Sequence, residues 1–128
     1  MRAKLQETEK PLYWLGDAHK ELCTFPDEVQ DAFGFALSAA QFGGMARKAK
    51  LLRGDLRGAI EIVEDFNTDT YRAVYTVKFE GVVYVLHAFQ KKSKSGIATP
   101  KADVELIKRR LKMAQKHYEG MKHEDHQK

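Results

Sequence analysis

The sequence predicts an α+β fold in which helices pack on a mainly antiparallel sheet of about four strands. Three observations carry this expectation. Apolar residues recur at helical spacing in two stretches, Val29, Ala32, Phe33, Ala36, Leu37, Ala40 and Val104, Ile107, Leu111, Ala114, Tyr118. Between them, residues 71–79 alternate Tyr71, Ala73, Tyr75, Val77, Phe79 against Arg72, Val74, Thr76, Lys78, the period-two pattern of a half-buried strand. A second strand-like run at 82–90 follows Glu80-Gly81, which reads as a tight turn because glycine tolerates positive φ.

Taken in chain order, residues 1–9 are polar and expected to be loose, and Leu12-Tyr13-Trp14-Leu15 is a short first strand ended by Gly16. Asp17 is placed to cap a short helix running to Cys23. Phe25-Pro26-Asp27 resets the chain for the first long amphipathic helix, which Gly43-Gly44 ends and whose apolar stripe should cover the sheet. Ala59-Ile60-Glu61-Ile62-Val63-Glu64 is a second strand, joined to the hairpin by a polar loop from Asp65 to Thr70. Consecutive strands are expected to be neighbours. Thr99-Pro100 has the form of a helix start, with threonine as cap and proline in the first turn of the second long helix. The organisation is thus a flexible 1–9, one domain over 10–118 and a flexible polar tail over 119–128.

Composition bounds the function. A chain of 128 residues is one domain, and a net charge of +4 permits a nucleic-acid partner. The distribution is more telling than the total. Lys91, Lys92, Lys94, Lys101, Lys108, Arg109, Arg110, Lys112 and Lys116 face only Asp103 and Glu105 in that stretch, and Arg47, Lys48, Lys50, Arg53 and Arg57 precede the second strand. A solvated charged surface accounts for most of them. Cys23 is the one cysteine, which excludes an intramolecular disulfide and a cysteine zinc site and suggests a small core residue. His117, His123 and His126 lack a packed scaffold for a metal, and no cofactor is expected. No apolar run reaches membrane length and the N-terminus lacks a signal-peptide core, so a cytoplasmic location and no membrane partner are expected.

The hairpin register points to a site. With a two-residue loop, Phe79 faces Val82, Val77 opposes Tyr84, Tyr75 opposes Leu86 and Ala73 opposes Ala88, making one apolar face. The other face sets Arg72 opposite Phe89, with His87 and Lys91 as diagonal neighbours at roughly 7–8 Å. A cationic cluster of Arg72, His87 and Lys91 suits phosphate chemistry, while Tyr71 and Tyr75 face the core.

The segments Ala49-Lys50-Leu51-Leu52-Arg53-Gly54, Ile60-Glu61-Ile62, Tyr71-Arg72-Ala73-Val74-Tyr75 and Val85-Leu86-His87-Ala88-Phe89-Gln90-Lys91-Lys92-Ser93 resemble the phage-derived HigB-like branch of the RelE/ParE toxin superfamily, over about residues 11–115. The resemblance implies a RelE-like domain, two N-terminal helices on a twisted antiparallel sheet, acting as the toxin of a type II toxin–antitoxin pair. It implies cleavage of mRNA in the ribosomal A site without a metal ion, and neutralisation by a helix-turn-helix antitoxin. Metal-free cleavage needs a group to take the 2′-hydroxyl proton, cations for the phosphate oxygens and support for the departing 5′-oxygen. Arg72 matches the strand arginine of the family's site, and its planar fork can hold phosphate oxygens. Lys91 shares its face and suits charge stabilisation or proton donation. Lys92 follows at the strand end, and His87 titrates in the range of a general base or a structural residue alike. Lys48, Lys50, Arg53 and Lys94 are the candidates for holding the RNA backbone. Val63 stands where many relatives carry an arginine, and no tyrosine follows Lys91-Lys92, so the chemistry would rest on a lysine-rich site. Two alternatives stay open: a ParE-like toxin that binds and inhibits gyrase without nuclease chemistry, and a phage accessory protein that has lost toxicity.

Overall fold

The computed structural model describes residues 9–91 and 100–126, with side chains as far as Lys122. Its elements are β1 (Leu12–Trp14), α1 (Ala18–Leu22), α2 (Asp27–Gln41), β2 (Lys50–Leu51), a single 3-10 turn (Gly54–Leu56), β3 (Ala59–Phe66), β4 (Asp69–Thr76), β5 (Val83–Lys91) and α3 (Lys101–His126). The α+β class is as expected. The sheet has five strands in the order β1-β5-β4-β3-β2, the fifth being the two-residue β2 inside the basic stretch. Neighbouring strands are consecutive except at β1, which crosses to the far edge and runs parallel to β5. Backbone bonds from Val83 N–H to the Pro11 carbonyl (3.0 Å) and from Leu15 N–H to the Val85 carbonyl (3.0 Å) fix that pairing.

Helix α2 forms where the spacing predicts. Asp27 and Glu28 sit in its first turn, where the exposed amides favour negative charge. Gly43 at φ +90° and the bond from Gly44 N–H to the Ala39 carbonyl (2.8 Å) end it. Val29, Phe33, Ala36, Leu37 and Ala40 are buried against β3, β4 and β5, with Ile60, Ile62, Tyr71, Ala73, Tyr75, Val83, Val85 and Ala88 supplying the sheet side. Tyr71 and Tyr75 are core residues, as the register predicts.

The hairpin differs from expectation in its turns. The two-residue turn lies between β3 and β4: Phe66 pairs with Asp69, and Asn67 (φ +50°) and Thr68 (φ +68°) both take the left-handed conformation of a type I′ turn. Between β4 and β5, residues 77–82 form a wider connection that includes Gly81 at φ +86°. Arg72 opposes Phe89 and Ala73 opposes Ala88, as derived, but the register shifts beyond Val74–His87, so that Tyr75 faces Val85 and Thr76 faces Tyr84. One extra residue on β5 is a β-bulge, and it puts Leu86 and His87 in succession on the same side of the sheet. Tyr84 and Leu86 therefore leave the face assigned to them and join Val74 and Phe89 on the other.

That other face is also a core. Helix α3 lies across it, burying Ile107 and Ala114 and packing Val104, Leu111 and Tyr118 against Val74, Tyr84, Leu86 and Phe89. The helix runs past Tyr118 and Gly120 to His126, with Met121 packed on the same cluster. Both sheet faces are thus covered, which explains why Val83 to Phe89 is buried without alternation. Cys23 is exposed at the end of α1 and is not a core residue. Asp17 makes no side-chain cap on α1; its carboxylate accepts from Arg110 Nη2 of α3 at 3.0 Å. Buried Arg110 also donates to the Leu86 carbonyl at 2.9 Å, and its guanidinium packs so tightly on Gly16 that a Cβ there would collide with it. No helix among the described residues is long and apolar enough to cross a membrane.

Candidate functional site

Arg72, centred on β4, projects to the α3 face together with Thr76, Val74 and, from β5, His87 and Phe89. The expected grouping of Arg72 and His87 on one side of the sheet is present, because the register is regular from Lys91 to His87 and the bulge begins only beyond it. Each is tied to a carboxylate. Arg72 Nη1 donates to Glu61 Oε2 at 2.7 Å, a diagonal pair between β4 and β3 with side chains only 8% and 7% exposed. Burial at that level demands a partner on both charges, because an isolated one would lose its hydration with nothing in return. Glu61 itself opposes Val74 and Lys50, and Val63 opposes Arg72.

His87 Nε2 lies 2.7 Å from Asp103 Oδ1, in the first turn of α3. A carboxylate can only accept, so Nε2 carries the hydrogen. Nδ1 is buried and has no partner among the described residues. The imidazole stacks on Phe89, with centroids 4.7 Å apart and planes at 19°. An imidazole whose far nitrogen is fixed by a carboxylate has the geometry of an oriented base.

The remaining candidates divide by position. Lys91 closes β5 opposite Thr70, half-buried, where the strand emerges from under α3. Lys92 and Lys94 lie outside the described residues. Lys48 and Arg53 are exposed along the approach to β3, and exposed Lys50 pairs across the β2–β3 ladder with Glu61, the carboxylate that holds Arg72. Lys48 bonds Glu64 at 3.0 Å. Arg53 and Arg57 flank a cavity of about 300 Å³ with Leu52 and Gly54. His117 bonds the Tyr84 hydroxyl at 2.7 Å, and the side chains of His123 and His126 are outside the described residues. Tyr84 stays protonated because burial, first, and the neighbouring Tyr13 and Tyr118 push its hydroxyl up to about 12. Burial likewise raises Tyr75.

Two residues that matter here were not singled out from the sequence. Glu61 carried a signal, since a lone carboxylate inside Ala-Ile-Glu-Ile-Val implies a buried counter-charge. Asp103 carried none beyond its place in a first helical turn, because its partner is 16 residues away across the sheet.

A family described as phage-derived protein Gp49-like matches residues 20–112. Among solved structures, the toxin–antitoxin complex RelBE2 from Mycobacterium tuberculosis is similar at 19% identity, covering 66% of this chain and all of that one, with a TM-score of 0.43. Among curated proteins no sequence matches the chain. The family match takes in every strand from β3 to β5, both carboxylate pairs, all of α2 and the N-terminal part of α3, and on it the chain belongs to the phage-derived Gp49-like family.

Proposed function

We propose that this RelE-like toxin acts on mRNA engaged by the ribosome, cutting it without a metal ion, and that a helix-turn-helix antitoxin holds it in check in the cytoplasm. The observation that supports this most is the delivery of Arg72 and of a carboxylate-oriented His87 to one sheet face, within the part of the chain that defines the family. In this reading His87 Nδ1 takes the 2′-hydroxyl proton as that oxygen attacks phosphorus. Arg72 holds the non-bridging oxygens, and Lys91, with Lys92 beside it, stabilises the added charge and protonates the departing 5′-oxygen. The products are a 2′,3′-cyclic phosphate and a free 5′-hydroxyl. Lys48, Lys50, Arg53 and Lys94 hold the RNA backbone through contacts that weaken with salt. Arg72 and His87 are both buried, so RNA enters by a local opening at the Lys91 end of β5, where the strand becomes half-exposed.

The same burial supports a second reading. A gyrase-binding toxin would use Arg72–Glu61 and His87–Asp103 only as ties between strands and helix, which is how they stand when closed. An accessory protein without toxicity would keep those ties for the same reason.

Growth after induction separates these. Arg72→Ala is unsuitable, because it removes a buried partner of Glu61 and should cost about 3–5 kcal/mol of stability. Arg72→Lys keeps the charge but loses the planar fork, and Lys91→Ala removes a half-buried cation. Wild type should arrest growth, and both variants should relieve the arrest at unchanged circular dichroism and protein level. Arrest by both variants as strong as wild type would remove Arg72 and Lys91 from the mechanism.

A further inference from the structure

The two edges of the sheet are unlike. At one, β2 is the short Lys50-Leu51 between Lys48 and Arg53, cations of the kind that keep an edge from pairing with another chain. At the other, β1 presents Leu12-Tyr13-Trp14 with no charge among them. The bonds from Val83 N–H to Pro11 and from Leu15 N–H to Val85 commit alternate residues to β5, so Leu12 and Trp14 turn their N–H and C=O groups outward. Lys10, the preceding outward residue, is satisfied by Gln41, whose carbonyl accepts its N–H at 2.9 Å and whose side-chain amide donates to its carbonyl at 2.7 Å. Leu12 and Trp14 have no such partner among the described residues.

A cavity adjoins those groups. Helix α2 lays Gln30, Gly34, Leu37 and Gln41, one stripe at i, i+4, i+7 and i+11, along the β1 edge, and between this stripe, α1 and the Leu12 and Trp14 side chains lies a space of about 260 Å³. Gly34 stands in the middle of α2, where glycine weakens a helix, and a Cβ on it would meet nothing within 4 Å. No close approach of the protein's own atoms requires it; what the glycine keeps is room beside β1. Outward N–H and C=O groups in strand register select an extended backbone as the occupant, because only a strand matches their spacing. We propose that the β1 edge receives an extended strand of a protein partner, which bonds the Leu12 and Trp14 backbone and sets a bulky apolar side chain against Gly34. RNA is disfavoured there, since the lining includes Asp31 and no lysine or arginine. A second copy paired through the same edge would bring only its Leu12 and Trp14, which pack on their own core and leave the space unfilled. These side chains lie on the α2 side of the sheet and Arg72 and His87 on the other, so the inference stands whether or not the protein cuts RNA.

Trp14 is the one tryptophan of the chain, so its emission reports occupancy directly. The full chain is titrated with synthetic peptides of about nine residues that alternate threonine and valine and carry phenylalanine, leucine or glutamate at the centre. A further control is the phenylalanine peptide with every second amide N-methylated, in both phases. The phenylalanine and leucine peptides should shift the Trp14 emission and slow hydrogen exchange at the Leu12 and Trp14 amides. The glutamate and N-methylated peptides should bind about tenfold more weakly or worse. Gly34→Leu has space for its side chain, so it should keep the wild-type circular dichroism and weaken the phenylalanine peptide by about tenfold or more. No response to any peptide, equal binding of the N-methylated forms, unchanged affinity in Gly34→Leu, or self-association through β1 that excludes the peptides would each overturn the proposal.

Discussion

Asp103 shows how a single side chain can set the chemistry of another. Its carboxylate fixes the hydrogen of His87 on Nε2 and leaves Nδ1 as the proton acceptor, while Phe89 holds the ring plane. Replacing Asp103 with Asn keeps the volume but offers a donor as readily as an acceptor, so the tautomer is no longer imposed. Asp103→Asn should give a His87 ring with mixed protonation of its two nitrogens by two-bond 1H–15N correlation, where wild type shows Nε2–H alone. If His87 is the base, kcat for RNA cleavage should fall by roughly 10²-fold with little change in KM. A wild-type ring protonated on Nδ1 would contradict the tautomer, and an unchanged kcat would confine His87 to a structural role. None of this was legible in the sequence, where Asp103 counted only as a negative charge in a basic stretch.

At the scale of elements, β5 decides the architecture. Its middle, Arg72 opposite Phe89 and Ala73 opposite Ala88, follows from alternation alone. Its first half does not, because Val85-Leu86-His87-Ala88 can be threaded as regular strand or as bulge, and only packing of Leu86 and Tyr84 under α3 favours the bulge. Turn chemistry misleads in the same way. Glu80-Gly81 has the glycine that positive φ favours, yet the tight turn is made by Asn67-Thr68, where full-length pairing of β3 with β4 outweighs the cost of a β-branched residue in the left-handed region. The β5–α3 junction carries a pH signature. Fully buried Tyr84 has its hydroxyl raised to about 12, so the folded state holds this proton longer than the unfolded state, whose value is near 10. The resulting stability is intact below pH 10 and is lost as pH rises through about 12, a term of about 2–3 kcal/mol. Ultraviolet titration should show one tyrosinate that appears near pH 12 in wild type and is missing from Tyr84→Phe. Ionisation of all tyrosines near their ordinary value would contradict the closed junction.

At the scale of the whole molecule, two helical layers enclose one sheet, and the enclosure carries the functional consequence. Helical spacing and strand alternation were enough to read the elements and the layer that α2 forms on the sheet. What the sequence left open was that α3 covers the cationic face. That depends on contacts such as Arg110 with Asp17 and Leu86, between residues 93 and 24 positions apart. On the proposed function, Arg72 and His87 rest closed and paired and would open to a ribosome-bound message. Primer extension on one mRNA incubated with purified protein, with and without translating ribosomes, tests this most directly. New 3′ ends at the A-site codon, only in the translated sample and bearing 2′,3′-cyclic phosphate, are the predicted result. An intact message under active translation, at protein levels that arrest growth, would contradict it.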